Sequence, residues 1–323
     1  MRKYCLMLRN FLSLQHLIIV FYHTFSQRIF LINQTSDMGP IGIFDSGFGG
    51  LSIYREIHRL LPQYDYFFLG DNLRAPYGDR SFEEVNEFTK QAVDKLFSMG
   101  CPLVILACNT ASAKALRNIQ QRVLPYTSDP SRRVLGVIRP NVERVGEFTY
   151  SGHIGVIATR ATISSQSYDM EIEKIPTSIR LDFKPLVVNS QACPTWVPMI
   201  EEGLQDTEEM HDAVYDDLKQ LLDKDPLIDT IILGCTHYPL VTSLIQTVLQ
   251  ELDHPEIILM PQGKPVAYAL QDYLRRHPDM DSRLSKNATT HYYTTGSVEV
   301  FNSQATHFIG HADKVSAEFL QWE

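Results

Sequence analysis

The sequence has few cysteines, and none has the spacing that usually binds zinc. Its 323 residues include five cysteines, and no two of them form a Cys-x-x-Cys pair. An odd and sparse set in a chain of this length is typical of a protein in a reducing compartment, not of one held together by disulfides. The sequence therefore excludes a disulfide scaffold and disfavours a metal site of the common type.

Basic residues are also in the minority. The 29 lysines and arginines stand against 38 aspartates and glutamates, which gives a formal net charge of −9. Binding to the phosphates of DNA or RNA needs a basic face, so we expect no nucleic acid as the main partner. A Walker A sequence is missing. The glycine-rich turn at 45–50 also fails the dinucleotide fingerprint, because Ser52 replaces its third glycine.

No apolar run is long enough to span a membrane. The best candidate, FLSLQHLIIVFY at 11–22, is short and is interrupted by Gln15 and His16. Basic residues precede it, as in a secretory signal, but no small-x-small cleavage site follows. We therefore expect no membrane contact. We expect residues 1–37 to be a poorly ordered extension, or translation to begin at Met38.

From residue 40 onwards, short apolar runs alternate with amphipathic segments, a pattern typical of parallel α/β sheets. Strands are predicted at 41–45, 64–70, 103–107, 134–138, 153–158, 230–234 and 256–260, and short elements around 291–296. Helices are predicted at 51–61, from Ser81 to near Gly100, and at 110–124, 161–172, 208–222, 239–252 and 266–276. The chain is long for a single core, so we expect two domains.

Part of this pattern occurs twice. IGIFDSG, which starts at Ile41, precedes LVILACNT, and IGVIATR, which starts at Ile154, precedes TIILGCTH. Each second segment is an apolar strand that leads into a cysteine, Cys108 or Cys235. The repeat predicts two similar doubly wound parallel-sheet α/β domains that face each other.

The two repeated cysteines lie where chemistry is expected. Ligands of open α/β sheets bind at the carboxyl ends of strands, and a helix N-terminus there favours thiolate over thiol. We therefore expect Cys108 and Cys235 to titrate closer to neutrality than an ordinary cysteine. A buried cysteine is otherwise a small hydrophobic residue, and that interpretation suits Cys101 and Cys193. His237, next to Thr236, is near enough to tune Cys235.

Five segments together resemble bacterial glutamate racemases. They are IGIFDSGFGGLS, GDNLRAPYG, ILACNTASA, ACPTWVPMIEEG and IILGCTHYPL, in this order. The resemblance implies a cytoplasmic isomerase that interconverts L- and D-glutamate for peptidoglycan synthesis without a cofactor or a metal. It also implies two flavodoxin-like domains with the active site between them, the first formed by 38–137 plus 261–323 and the second by 138–260. Whether the chain forms a homodimer stays open.

The resemblance further implies roles for individual residues. Cys108 and Cys235 match the two acid/base thiols, one for each face of the substrate. Asp45 matches the group that assists the first thiol, and His237 and Glu201 match those that assist the second, with Glu202 as an alternative to Glu201. Substrate contacts are expected from Asp45, Ser46, Tyr77, Gly78, Asn109, Thr110, Thr236 and His237. The chain departs from the family pattern at Ala158, at Arg139 and in the loop PQGK at 261–264.

Two alternatives remain at this stage. One is a related enzyme that acts on aspartate, hydantoins or malonates, although a decarboxylase would be favoured only if one thiol were missing. The other is a two-domain protein that closes on a small acid without catalysis. Turnover, together with inactivation by thiol reagents that glutamate prevents, would separate catalysis from binding.

The sequence contains no pattern that is typical of cofactor binding. Racemisation should need no pyridoxal phosphate, nucleotide or metal, because positioned hydrogen bonds can stabilise the charge that develops at Cα. We expect the rate to survive exhaustive treatment with EDTA and hydroxylamine, measured by polarimetry with L-glutamate. A loss of rate that an added cofactor restores would contradict this prediction.

Overall fold

The computed structural model of the protein describes residues 38–175, 186–310 and 315–322, so the expectation for residues 1–37 lies outside the described residues. The described residues form parallel β-sheets flanked by helices. The strands are β1 Ile41–Asp45, β2 Tyr66–Gly70, β3 Leu103–Leu106, β4 Arg133–Gly136, β5 His153–Ala158, β6 Val187–Ala192, β7 Thr230–Leu233, β8 Ile258–Met260, β9 Thr290–Thr294 and β10 Ala317–Phe319.

Helices connect these strands and cover the sheets. They are α1 Leu51–Leu60, α2 Phe82–Ser98, α3 Asn109–Lys114, α4 Leu116–Asn118, α5 Ile138–Arg144, α6 Arg160–Ser164, α7 Ser167–Glu173, α8 Trp196–Glu201, α9 Glu208–Lys224, α10 Thr242–Glu251, α11 Gly263–Arg276, α12 Pro278–Asp281 and α13 Val298–Ile309. Short 3-10 turns follow at Leu124–Tyr126, Val145–Glu147 and Tyr238–Val241, and a π-helical turn at Ile119–Val123.

The strands form two sheets with the same central order. The six-stranded sheet has the order β10-β9-β2-β1-β3-β4, and the four-stranded sheet has the order β6-β5-β7-β8. All the strand pairs are parallel. In both sheets the chain runs outward from a central pair, β1/β3 or β5/β7, as in flavodoxin-like folds. The predicted doubly wound α/β fold is therefore confirmed, whereas the limits of the two domains stay a prediction.

Each sheet is buried on both faces, which explains its continuous apolar strands. In β1, Ile41 and Ile43 pack on one face with helices α1 and α11. Phe44 packs on the opposite face with residues of α2. The four-stranded sheet likewise has separate clusters, one around Trp196 and one around Tyr168. Burial on both faces leaves only the strand ends for polar side chains.

Some of the predicted helix ends agree with the structure and others do not. The capping box predicted at Ser81 is present, because its side chain accepts from the Glu84 N–H and the Glu84 carboxylate accepts from the Ser81 N–H. The helix predicted at 161–172 is interrupted, since Gln166 adopts a left-handed φ of 54° between α6 and α7. The helix predicted at 110–124 breaks up before Pro125, which cannot supply a backbone donor.

The strand β9 lies where the sequence predicts only short elements, and two further strands were not expected from the sequence. The edge strands β6 and β10 are short or partly exposed, so they lack the continuous apolar run of a central strand. The strand predicted at 134–138 also ends early, at Gly136, because Ile138 already begins α5. These differences lie at sheet edges and strand ends, where local pattern is weakest.

Asp65 fastens the returning C-terminal segment to the six-stranded sheet. Its carboxylate is 5% exposed and accepts hydrogen bonds from the side chains of Asn287 (2.6 Å) and Thr289 (2.7 Å) and from both of their backbone N–H groups. Burial opposes ionisation, but these bonds and one from Ser285 outweigh it and lower the pKa of Asp65 to about 2. The loop is thereby held where β9 joins β2.

We predict that Asp65→Ala destabilises the protein by about 2–4 kcal/mol, because it leaves several buried hydrogen-bond donors without an acceptor. The Asp65 carboxylate contributes its full stabilisation above the pKa of about 3.9 that it has in the unfolded chain. That stabilisation is lost as the pH falls through its pKa in the folded protein, about 2. The difference from wild type in urea unfolding should therefore shrink below about pH 4. Asp272→Ala, which removes exposed ion pairs with Arg275 and Arg276, is the control and should leave the free energy of unfolding nearly unchanged. Equal losses in the two variants would contradict the role of Asp65.

Candidate active site

The two repeated cysteines occupy equivalent strand ends. Ala107 separates Cys108 from β3, and Gly234 separates Cys235 from β7. These strands adjoin β1 and β5, so each thiol lies where the strand order of its sheet reverses, the usual ligand position in such sheets. Both cysteines are buried, with 5% and 6% of their surface exposed.

The first thiol is the N-cap of a helix. Its Sγ accepts from the backbone N–H of Ala111 at 3.5 Å in α3 and lies 3.4 Å from Oγ of Ser46. Burial and the nearby Asp45 carboxylate raise the pKa of Cys108 to about 12, against smaller opposing effects of Ser46 and Ala111. The expectation that this thiol titrates near neutrality is therefore wrong, because desolvation in the closed site outweighs the helix N-terminus.

Asp45 lies at the end of β1 and is completely buried. The Gly47 N–H donates to its Oδ2 at 2.9 Å, whereas its Oδ1 has no hydrogen-bond partner among the described residues. Burial raises the pKa of this carboxyl, although His237 and the backbone N–H groups of Gly47 and Gly50 oppose the rise. One acceptor atom of this carboxyl thus has no hydrogen-bond partner in the described part of the chain.

The second thiol has a histidine and a glutamate beside it. His237 Nδ1 lies 3.9 Å from Cys235 Sγ, and its Nε2 lies 3.2 Å from Oε1 of Glu201. Burial disfavours the imidazolium, but Cys235 and Glu201 outweigh that effect and raise the pKa of His237 to about 10. Glu202 is exposed, so the geometry favours Glu201 over Glu202 as the neighbour of this histidine.

The glycine-rich turn after β1 lies directly against the second sheet. A Cβ atom at Gly49 would lie 2.3 Å from Oγ1 of Thr236 and 2.7 Å from Nδ1 of His237. Ser52, at the start of α1, donates through its hydroxyl to the Thr236 carbonyl at 3.2 Å. Only glycine permits this approach, which brings Asp45 and His237 into one site.

The loop with the Pro-Tyr-Gly turn also contacts both sheets, but the Tyr77 hydroxyl is already hydrogen-bonded. That hydroxyl donates to Asp71 in the first sheet's loop. The Gly78 carbonyl accepts from the Ala161 N–H at 3.0 Å, and a Cβ at Gly78 would lie 3.1 Å from Cγ2 of Thr159. The backbone at Gly78, more than the side chain of Tyr77, therefore borders the site.

Sequence reasoning missed three buried polar residues here: Thr159, Tyr168 and Gln262. Thr159 Oγ1 lies 3.0 Å from Oγ1 of Thr110. Tyr168 and Gln262 both bond the Asn109 side chain. The repeat could have revealed Thr159, because it occupies the place of Ser46 in the second copy. Gln262 belongs to the unusual PQGK loop, and nothing in the sequence distinguishes Tyr168.

A wide cleft elsewhere on the surface is not this site. It has a volume of about 1210 Å³ and is lined by residues such as Lys114, Arg117, Arg139, Glu171 and Tyr273, and by none of the predicted site residues. The described part of the chain holds no group of three or more His, Cys, Asp or Glu side chains suited to a metal ion. Within residues 38–175, 186–310 and 315–322, no helix has the length and apolar character of a membrane span.

Comparison with known proteins decides the family. Residues 41–258 match the Asp/Glu/Hydantoin racemase family. The chain belongs to this family. The resemblance predicted from the five sequence segments is therefore confirmed, and the chain is a racemase, that is, an isomerase.

Individual relatives of the racemase are similar over nearly their full lengths. Glutamate racemase from Streptococcus gordonii is 35% identical over 285 residues, which cover 88% of this chain and 99% of that protein. Glutamate racemase from Dinoroseobacter shibae is 39% identical and is matched over 95% of its length by 83% of this chain.

Solved structures give the same result. Glutamate racemase isoform RacE1 from Bacillus anthracis superposes with a TM-score of 0.74 at 35% identity, covering 88% of this chain and 98% of that one. Glutamate racemase from Francisella tularensis, solved in complex with D-glutamate, has a TM-score of 0.73 at 30% identity with the same coverage. An enzyme is favoured over the binding protein without catalysis.

We predict that Asp45→Asn makes Cys108 of the racemase ionise at lower pH, since it removes a negative charge beside the thiolate. The midpoint should fall by roughly one pH unit or more. It is measured as the pH dependence of Cys108 alkylation by iodoacetamide, followed by peptide mass spectrometry. Asp217→Asn is the control, because Asp217 faces Cys193 instead. An unchanged midpoint in Asp45→Asn would rule out this electrostatic coupling.

Proposed function

We propose that this racemase interconverts L- and D-glutamate by a two-thiol acid/base mechanism without a cofactor. The observation that carries the proposal is the pair of buried cysteines at equivalent ends of two facing sheets, each with its own polar partners. Glutamate as substrate is supported by the names of the relatives that are 35% and 39% identical over most of the chain.

Inversion at Cα requires one base on each face of the substrate. A single base would return the proton to the face from which it came, whereas Cys108 and Cys235 approach from opposite sheets. In the proposed reaction Cys235 removes the α-proton of L-glutamate, and the Cys108 thiol donates its proton to the opposite face to give D-glutamate. The reverse reaction exchanges these roles.

The neighbours of each thiol suit these roles. The raised pKa of Cys108 keeps it protonated and ready to donate in the L-to-D direction. Cys235 and Glu201 raise the pKa of His237, which favours the cationic form that can stabilise a thiolate at Cys235. Asp45 offers its Oδ1, which none of the described residues bonds, as an acceptor for the Cys108 proton or for the substrate ammonium group.

The substrate carboxylates need donors that are already in place. Ser46, Thr110 and Thr236 supply hydroxyl groups, and the first turn of α3 supplies backbone N–H groups. The side-chain amide of Asn109 is already bonded to Tyr168 and Gln262, so Asn109 would contact substrate through its backbone. The Gly78 backbone borders the same space.

The cellular role follows from the reaction. D-glutamate made in the cytoplasm would supply peptidoglycan synthesis, in keeping with the bacterial relatives that the chain resembles. Growth of a strain in which this chain is the sole source of D-glutamate would test this role.

We predict that racemisation in D₂O places deuterium in the newly formed enantiomer, while the remaining starting enantiomer stays largely protonated. The proton removed stays on one thiol, and the deuteron comes from the other, solvent-equilibrated thiol. Cys108→Ala and Cys235→Ala should each lower kcat at least about 100-fold, since inversion needs both faces. Chiral chromatography with mass spectrometry measures both results.

Cys101→Ala is the matched control, because Cys101 is equally buried but packs in the core beside Gly42. It should cost about 1 kcal/mol of stability and leave kcat unchanged. Early deuterium in the starting enantiomer, or substantial activity in either of the other two variants, would indicate a single base and contradict the proposal.

A further inference from the structure

Gln262 lies in the loop that returns the chain from β8 to α11, between the two sheets. Its side chain is 3% exposed. A buried amide is costly unless its donor and acceptor atoms are paired. Here every polar atom of the Gln262 side chain has a partner, and the partners come from several separate segments of the chain.

One set of partners connects Gln262 to both thiol-bearing strand ends. Asn109 donates through Nδ2 to Oε1 of Gln262 at 2.8 Å, and Gln262 donates through Nε2 back to Oδ1 of Asn109 at 3.1 Å. The same Nε2 donates to the backbone carbonyl of Leu233. Asn109 directly follows Cys108, and Leu233 is the last residue of β7 before Gly234 and Cys235.

A second set of partners fixes the Gln262 amide itself. Asn141 donates to its Oε1 at 3.3 Å and to the Val137 carbonyl at 2.6 Å, where the chain first leaves the six-stranded sheet. The Tyr168 hydroxyl lies 3.5 Å from the same Oε1 and accepts from Asn109 at 3.0 Å. The amide thus lies where both crossings between the sheets meet.

This arrangement needs a group that donates and accepts at once. A carboxylate at residue 262 could accept from Asn109 and Asn141 but could not donate to the Leu233 carbonyl. A leucine would fill similar space and satisfy none of these atoms. The glutamine side chain therefore bridges the two strand ends through hydrogen bonds that an apolar residue of similar size cannot make.

We propose that Gln262 is a positioning residue that sets the distance and alignment between the Cys108 and Cys235 thiols. This inference rests on the proposed two-thiol mechanism. Inversion requires that the carbanion made by one thiolate is protonated by the opposite thiol before the proton returns from the first. If the distance between the two thiols is less well fixed, protonation of the carbanion by the opposite thiol becomes slower. Return of the proton by the first thiol is not affected.

The consequence is that the α-proton exchanges with solvent while the configuration at Cα stays the same. One thiolate takes the α-proton, and the resulting thiol exchanges its proton for a deuteron from D₂O while the carbanion waits. That thiol then returns the deuteron to the same face, so the starting enantiomer gains deuterium at Cα and no stereochemistry changes. Loss of folded protein would instead reduce exchange and inversion together.

The test uses Gln262→Glu, Gln262→Leu and Gln262→Ser in the full chain, with thermal unfolding measured for each. We expect kcat to fall about 10- to 100-fold with a smaller change in KM, as for misalignment of reacting groups. In D₂O the ratio of deuterium in the remaining starting enantiomer to product formed should rise about 10-fold or more above wild type, in step with the loss of kcat.

Gln191→Glu, Gln191→Leu and Gln191→Ser are the matched controls. Gln191, in β6 of the four-stranded sheet, is also a buried amide, 8% exposed, and is bonded to Asp217, Gln220 and Lys224 of α9. These variants should keep the wild-type ratio of exchange to inversion even where they lower stability.

An unchanged ratio in the folded Gln262 variants, or an equal rise in the Gln191 variants, would overturn the proposal. Loss of the folded state in all three Gln262 variants would assign this residue to stability alone and overturn it too. Failure of the two-thiol mechanism is recognised separately, because wild type itself would then show deuterium in the starting enantiomer.

Discussion

The close approach of two strand ends from separate sheets is the constraint on which the site depends. Gly49 has Thr236 and His237 where a side chain would stand, and the Ser52 hydroxyl bonds across the same gap. Because both sheets are buried on both faces, polar groups are left to the strand ends. Contact between those ends therefore puts the polar residues of both sheets into one small volume.

Exclusion of water from that volume governs its acid–base chemistry. Burial raises the pKa values of Cys108 and Asp45, against a helix N-terminus and backbone donors that favour the charged forms. Burial lowers the pKa of His237, but Cys235 and Glu201 outweigh that effect and raise it to about 10, so this side chain favours its charged form. The two thiols are only 5% and 6% exposed in this arrangement.

Polar groups buried between the sheets are tolerated because they satisfy one another. Thr110 and Thr159 pair across the interface, and the amides of Asn109 and Gln262 pair beside them. Unpaired, each such group would cost about 1–3 kcal/mol. The network thus favours a single relative position of the two sheets, as the proposed two-thiol reaction requires.

The sequence by itself determined the α/β class, the central strands and the strand ends that carry Cys108 and Cys235, because apolar runs and motif order are local properties. It did not determine β6 or β10, whose exposed edges lack a continuous apolar pattern. Only the tertiary structure decided that the Tyr77 hydroxyl donates to Asp71 and that burial raises the pKa of the Cys108 thiol. The same is true of the hydrogen bonds by which Gln262 connects both strand ends. Those outcomes depend on desolvation and on partners far apart in the chain, which no local pattern records.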